Sequence, residues 1–146
     1  MSISTDKRTI DVANRLRPAL LKLARELRRE SHALGVTGGQ VTLLIQIQRN
    51  PGLGVNDLAA RERISPAAMS GYVGRLEKAG LVTRRPHESD GRRQVLALTL
   101  GGEGVLRSVK SRRTAWLAAR MKTLDPEELD AVDAAVEPLL RLLEDA

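Results

Sequence analysis

The sequence contains no cysteine and no phenylalanine, and it has one tryptophan, one tyrosine and two histidines. Without cysteine the chain has no disulfide, no thiolate nucleophile and no thiol redox switch. Two isolated histidines do not make the pattern of a zinc site. Because aromatic residues are so rare, the core must be built from leucine, valine, isoleucine, alanine and methionine, a composition that suits helix packing.

Long apolar runs and enzyme motifs are also missing. No stretch approaches the ~20 apolar residues of a membrane span, and the N-terminal MSISTDKRTID is too polar for a signal peptide. We therefore expect a cytoplasmic protein with no membrane partner. No HExxH, P-loop, G-x-S-x-G or Cys/His pair provides a catalytic constellation, so we expect no enzyme, no metal and no cofactor. The 146 residues suffice for one domain with a sizeable core.

The charge is unevenly distributed around a net value of +6. Residues 61–93 contain eight Lys/Arg and four Asp/Glu, and residues 101–122 contain six and one. Residues 124–146 contain one arginine and eight acidic residues. A basic middle and an acidic end indicate that one surface faces a polyanion.

Apolar residues recur at helical spacing at both ends of the chain. A first helix is predicted over 10–33, where Pro18 bends the helix or marks its start and Gly35 ends the segment. The helical period returns from about residue 101, and Asp125 caps a last helix. The apolar residues of these stripes are Leu16, Leu20, Leu23, Leu27, Val105, Val109, Trp116, Leu117, Met121, Leu124, Leu129, Val132, Val136, Leu139, Leu140 and Leu143.

The middle of the chain has the pattern of short helices followed by a hairpin. Ser65 and Pro66 are suited to the N-cap and the first position of a helix. Pro86 and the turn sequence in 88-ESDGRRQVLALT-99 separate two β-like runs, and Asp90-Gly91 is the signal for a tight turn. The predicted helices are 38–49, 55–61 and 66–79, and the predicted strands are 81–85 and 94–98.

Two short helices joined by a tight turn and followed by a hairpin predict a winged helix-turn-helix. An α-helix fits the major groove of DNA, and a basic hairpin tip can reach the minor groove or the phosphates. The pattern packs the two helices together through Leu58, Ile64, Met69, Val73 and Leu76. It leaves outward, on the second helix, Ala67, Ala68, Ser70, Gly71, Gly74 and Arg75.

The stretch 64-ISPAAMSGYVGRLEKAGLVTRRPHESDGRRQVLALT-99 resembles the recognition helix and wing of the MarR family of bacterial transcriptional regulators. The resemblance is carried by LEKAGLV, by the following Arg84, and by Asp90-x-Arg92 before a strand and LT. It extends to helix order and length, so it covers nearly the whole chain. It implies one MarR-type domain over 1–146, with a winged helix-turn-helix head at 37–99 and dimerisation helices at 10–35 and 101–146.

The resemblance further implies a homodimeric repressor or activator that binds a palindromic operator in double-stranded DNA. We expect repression, which a small-molecule effector would relieve. Ser65 and the helix N-terminus would hold a phosphate, and Arg75 would reach a phosphate or a guanine. Arg92, held by Asp90, would enter or span the minor groove. The other implied DNA contacts are Pro66, Ala67, Ala68, Ser70 and Gly71 on the helix and Arg84, Arg85 and Arg93 on the wing.

Gly71 departs from the family pattern, which often has a long polar or basic side chain at this position. Gly74 adds a second glycine, and each costs the helix about 1 kcal/mol relative to alanine. Fewer side chains can therefore read bases. We expect specificity to depend on Arg75, on the wing and on DNA shape.

Each feature also has a structural interpretation. Asp90 with Arg92 can form a local ion pair, and Arg75 can pair with Glu77. The basic residues at 107–113 either extend the DNA-facing surface or form a solvated helix face. A winged-helix module that binds proteins and not DNA is the alternative function, although the arginine-rich wing argues against it.

Overall fold

Six α-helices and one β-hairpin form the regular structure of residues 6–144, which are the residues that our computed structural model describes. The chain divides into two units at Arg113, and the fifth helix passes from the first unit into the second. The mainly helical fold with one small hairpin confirms the predicted fold class. In chain order the elements are α1 (Lys7–Arg29), a 3-10 turn (His32–Leu34), α2 (Gly38–Arg49), α3 (Val55–Glu62), α4 (Pro66–Lys78), β1 (Val82–Pro86), β2 (Gln94–Leu98), α5 (Leu100–Met121) and α6 (Pro126–Arg141).

The first helix starts and ends earlier than the sequence predicts. It begins directly after Asp6, whose carboxylate accepts a 2.7 Å hydrogen bond from a first-turn amide. Pro18 therefore lies inside the helix and does not mark its start. The helix ends well before Gly35, because the hydroxyl of Ser31 donates to a carbonyl of its last turn at 2.7 Å and the chain tightens into the 3-10 turn.

The helix-turn-helix formed by α3 and α4 packs as predicted. Ser65 is the N-cap of α4, and Pro66 occupies its first position. The apolar face of α2 completes the core around this pair. The core residues that are almost completely buried in these three helices are Val41, Leu44, Ile47, Leu58, Ala59, Met69, Val73 and Leu76.

The hairpin follows α4 directly and has a regular antiparallel register. Val82 lies opposite Leu98, and Pro86 lies opposite Gln94. Pro86 is thus the last residue of β1 and does not lie outside the strand as the sequence suggested. At the other edge of β2, the backbone N–H of Leu96 donates to a carbonyl of the loop before α3 at 2.8 Å. A backbone hydrogen bond therefore connects the hairpin to the loop before α3.

The tight turn predicted at Asp90-Gly91 is present, because the amide of Arg93 donates to the carbonyl of Asp90 at 3.0 Å. It is not a two-residue hairpin turn, since that turn requires a positive φ at its glycine and Gly91 does not have one. The strands are instead joined by residues 87–93, a loop closed by the N–H of His87, which donates to the carbonyl of Arg93 at 2.8 Å. Within this loop the Nδ1 atom of His87 accepts hydrogen bonds of 3.2 Å from two backbone amides.

The start of α5 is fixed by a close backbone contact that the sequence pattern did not reveal. Gly102 is buried, and a Cβ at this position would collide with the carbonyl oxygen of Leu81. Thr99 joins the same corner, because its hydroxyl donates to the Gly80 carbonyl at 2.6 Å and accepts from the Gly102 amide at 3.0 Å. Leu106 is also part of the core, although the predicted apolar stripe of this helix contained its neighbour Val105 and not Leu106.

The second unit, residues 114–144, comprises the end of α5 and all of α6. Asp125 caps α6 as predicted: its carboxylate accepts from the Glu128 amide at 2.8 Å, and Glu128 accepts in return from the Asp125 amide at 3.1 Å. Much of the predicted apolar stripe is exposed, with Val136 at 46% and Leu143 at 82%. None of the helices in residues 6–144 is long and apolar enough to span a membrane.

Candidate nucleic-acid interface

The first turn of α4 leaves two hydrogen-bond donors available. The hydroxyl oxygen of Ser65 accepts from the Ala68 amide at 3.1 Å, and the Ser65 carbonyl accepts from the Met69 amide at 3.0 Å. Pro66 has no N–H, and the amide of Ala67 has no acceptor within the helix because it lies in the first turn. The Ser65 hydroxyl can still donate its proton while it accepts from the helix. An anion at this helix end would meet both donors.

The outward face of α4 carries only small side chains in its N-terminal half, before Tyr72. Nothing lies within 4 Å of where a Cβ would stand at Gly71 or Gly74. Gly74, predicted to face outward, is half-buried. A face of this kind lets another surface approach the helix backbone closely. The predicted contact residues that are exposed on it are Pro66, Ala67, Ala68, Ser70, Gly71 and Arg75.

Arg75 stacks on an aromatic ring and has no acidic partner within residues 6–144. Its guanidinium carbon lies 5.0 Å from the ring centre of Tyr72, a cation–π distance that orients the charged group. Glu77, its predicted alternative partner, binds elsewhere. Tyr72 is 43% exposed and is therefore not a core residue of the first unit.

Two of the four wing arginines are held by acids of the helix-turn-helix. Arg84 donates from Nε to a carboxylate oxygen of Glu77 at 2.9 Å, and its Nη2 lies 2.9 Å from the same oxygen. Arg93 lies 3.3 Å from the carboxylate of Asp57, at the start of α3. These pairs are partly exposed, so each stabilises the fold only weakly. Together they attach the wing to both helices.

Asp90 holds the backbone of the wing loop and not the Arg92 guanidinium, which corrects the sequence interpretation. Its Oδ1 accepts from the Arg92 amide at 3.1 Å. None of the ion pairs between described residues joins these two side chains. Arg92 and Arg85 are both exposed and have no carboxylate partner in residues 6–144. They are the wing cations that remain available to an external anion.

Arginines at the far end of the basic segment 107–113 bind the end of α1, which neither sequence interpretation anticipated. Arg112 donates from Nε to the carbonyl of Glu30 at 3.2 Å, and its Nη2 lies 3.3 Å from the Glu30 carboxylate. Arg113 donates to the carbonyl of Leu27 at 3.1 Å. Burial, and then the nearby Arg28 charge, lower the pKa of the Arg113 guanidinium. These residues cap the carboxyl end of a helix.

A cavity of about 520 Å³ opens within the first unit beside the exposed face of α4. Its walls come from the last turn of α1, the start of α2 and one side of α4. Arg28 and Arg75 bring positive charge to it, and Glu62 brings negative charge. A small molecule in this cavity would touch Tyr72 and Arg75.

Sequence reasoning missed Asp57, Glu77 and Tyr72 as parts of this surface. The Arg93–Asp57 contact joins residues 36 positions apart, so no local pattern could have indicated it. Tyr72 and Arg75 are three residues apart on one helix, a spacing at which side chains meet. That spacing was the one feature of the sequence that could have indicated the contact between Tyr72 and Arg75.

The chain that carries this surface is similar to known transcriptional regulators. A family model described as the MarR family matches residues 34–93. An HTH-type transcriptional regulator of Mycobacterium bovis is 29% identical over 92% of this chain and 94% of its own. The regulator YfiV of Bacillus subtilis is 32% identical over 73% and 67% of the two chains. The repressor MdtR of the same organism is 28% identical over 86% and 81%.

Solved structures give the same fold. A putative transcriptional regulator from Pseudomonas aeruginosa superposes with a TM-score of 0.85 and 29% identity, covering 97% of this chain and 100% of its own. A mutant of MepR from S. aureus, bound to an oligodeoxyribonucleotide, superposes with a TM-score of 0.68 and 21% identity over 91% and 98% of the chains. At that identity the second likeness concerns the fold alone.

Proposed function

Because the chain belongs to the MarR family of DNA-binding, non-enzymatic transcriptional regulators, we propose that it is a homodimer that represses transcription from a palindromic operator. One observation carries the proposal. The exposed small-residue face of α4 lies beside a wing whose arginines are partly fixed to α3 and α4 and partly free. The relative MdtR is a transcriptional repressor, which supports repression as the direction of regulation.

In this proposal α4 enters the major groove by its N-terminal half. Ser65 and the Ala67 amide donate to a phosphate, and Ala68 lies near a thymine methyl. Pro66, Ser70 and Gly71 face base edges. Arg75, oriented by Tyr72, binds a phosphate or a guanine.

The wing contacts the neighbouring minor groove and its phosphates. Arg92 and Arg85 are the proposed direct contacts, because both are exposed and unpaired in the part of the chain described. Arg84 and Arg93 reach DNA from positions set by their ion pairs, and Asp90 shapes the loop that carries Arg92. With glycine at two positions of α4, the proposal assigns much of the specificity to Arg75, the wing and DNA shape.

Dimerisation through the terminal helices is supported by their exposed apolar residues. On α1, Leu21 is 61% exposed, and on α6, Leu140 is 52% exposed. Apolar stripes of this extent on a monomer mark a protein interface. We assign 10–35 and 101–146 to dimerisation and 37–99 to the head within a single domain. A two-fold axis would then place two α4 helices about 34–36 Å apart, in successive major grooves.

A small-molecule effector would act by binding the DNA-competent and DNA-incompetent states with different affinities. The cavity beside α4 supports this part of the proposal, because Arg75 is one of its walls. A ligand there competes with DNA for the guanidinium.

Selection of bound fragments from the source genome, followed by footprinting, tests the proposal. We expect a palindrome whose half-site centres are about 10 bp apart. Failure to enrich any site, together with binding that does not depend on salt, would favour the alternative of a protein-interaction module. Counterion release makes DNA binding weaken steeply as salt rises.

A further inference from the structure

Arg63, in the turn between α3 and α4, has an unusual backbone conformation. Its φ of 55° and ψ of 42° lie in the left-handed region, and it is the one non-glycine residue with positive φ in the described chain. The Cβ of an L-residue is crowded there, so glycine is the usual occupant. At the other three positive-φ positions among residues 6–144 the chain has glycine.

The fold itself does not require an arginine at this position, as a second helix end in the same chain shows. α4 ends at Gly80 in a Schellman motif closed by backbone hydrogen bonds of 2.9 and 3.0 Å. α3 ends at Arg63 in the same motif, closed by bonds of 3.0 and 3.3 Å. The backbone needs a residue that tolerates the left-handed region, and glycine would serve as it does at position 80.

The Arg63 side chain has no partner among the residues that the structure describes. It is exposed, and neither its charge nor its N–H groups contact an acid or a carbonyl among residues 6–144. A cation is favourable at the end of a helix, but Arg61 already provides one in the last turn of α3. The side chain therefore occupies a strained position without stabilising the fold in any way visible in its contacts.

Arg63 lies close to the helix end that the proposed function places against DNA. Arg63 is three residues before Pro66, so its Cα lies within about 11 Å of the first residue of α4. In a helix-turn-helix the first helix crosses the DNA backbone while the N-terminus of the second enters the major groove. The turn between them is consequently next to phosphates.

We infer that Arg63 is a further DNA contact, which binds a backbone phosphate beside the groove that α4 enters. The inference rests on the proposed function and adds a residue outside the helix face and the wing. The left-handed backbone of the turn directs the long Arg63 side chain towards this phosphate. It complements the Ser65 hydroxyl and the Ala67 amide, which bind a phosphate from the helix end.

The test measures affinity of the full chain for a labelled mixed-sequence duplex of about 30 bp between 50 and 200 mM NaCl. Arg63→Asn removes the charge but tolerates the left-handed backbone, and Arg63→Lys keeps the charge as the matched control. For Arg63→Asn we expect the salt slope to fall by about 0.9 per subunit. The ratio of affinities at the two salt concentrations then shrinks about 3.5-fold per subunit. Arg63→Lys keeps the wild-type slope, and the Tm of Arg63→Asn equals or exceeds that of the wild type.

The outcomes separate the two proposals. A wild-type slope in Arg63→Asn overturns the role of Arg63 and leaves the proposed function standing. Wild-type protein that binds the duplex without salt dependence overturns the proposed function, and the inference with it. Should Arg63→Asn fail to fold, Arg63→Gly provides the same comparison, because glycine fits this backbone without strain.

Discussion

The guanidinium of Arg93 in the wing loop lies 3.3 Å from the carboxylate of Asp57 in the first turn of α3. The same carboxylate oxygen accepts the Gly54 amide at 2.9 Å, so the acid that caps α3 also holds the wing. One side chain thus couples the position of the wing to the helix-turn-helix.

Breaking this contact should affect DNA binding more than stability. Asp57→Asn can still accept the Gly54 amide but loses the ion pair. Because the pair is exposed, we expect the free energy of unfolding to fall by no more than about 1 kcal/mol, while DNA affinity falls as the wing loosens. Urea unfolding and fluorescence anisotropy measure the two effects. In a double-mutant cycle with Arg93→Gln, purely additive losses of affinity would contradict the coupling.

Arg92 should contribute to DNA affinity through its charge. Arg92→Ala is expected to lower the slope of log affinity against log salt by about 0.9 per subunit, the effect of one lost phosphate contact. Arg107→Ala is the matched control, since Arg107 is exposed on α5 and makes no ion pair in the described residues. An equal change of slope in both variants would contradict a specific role for the wing tip.

Gly71→Ala should separate fold stability from DNA binding. A Cβ at this position meets no atom within 4 Å, so we expect the free energy of unfolding to rise by up to about 1 kcal/mol. The added methyl group would nonetheless keep α4 further from the bases, and operator affinity should fall. Gly104→Ala on α5 should stabilise the protein without affecting DNA. Tighter operator binding by Gly71→Ala would exclude close approach of this face to DNA.

The corner between β1 and α5 should be intolerant of a side chain. Gly102→Ala would force its methyl group against the Leu81 carbonyl, and overpacking of this kind costs about 1–3 kcal/mol of unfolding free energy. At Gly101 the nearest atom, the Gly80 carbonyl oxygen, is 3.3 Å away, so Gly101→Ala should cost less. Equal stability of the two variants in urea would refute this account of the corner.

Charge on the apolar stripe of α6 should prevent dimerisation. We expect Val136→Glu to sediment as a monomer and to bind DNA with about half the wild-type salt slope, because one head makes half the phosphate contacts. Leu100→Glu is the control. Leu100 is 86% exposed at the start of α5, and its replacement should leave the dimer intact. A dimeric Val136→Glu variant would place the subunit interface elsewhere.

Features that depend on neighbouring residues were predictable from the sequence. Ser65 with Pro66, and Asp125 with its capping partner, mark helix starts because a cap involves residues three positions apart. The strands, the buried faces of α3 and α4, and the fold class followed from the same local rules. Together with the family resemblance, they pointed to DNA.

Features that depend on tertiary contacts were not predictable. The hairpin tip is a separate case: the contacts of the His87 ring that organise its loop are only two and three residues away, but the Asp-Gly sequence did not indicate them. Arg112 and Arg113 looked like solvated charges, but they bind carbonyls of a helix more than 80 residues earlier. The partner of Arg93 was also not predictable, because the sequence shows that a residue is charged but not which acidic residue it contacts in the fold.

The most direct test of the central claim is the salt dependence of affinity for the selected operator, measured for the wild type and for the double variant Arg75→Ala/Arg92→Ala. A dimer that contacts 6–10 phosphates should show a slope of about −5 to −9. If both arginines contact phosphates in both subunits, the double variant should reduce its magnitude by about 3.6. A wild-type slope near zero, or a double variant with the wild-type slope, would contradict DNA recognition by α4 and the wing.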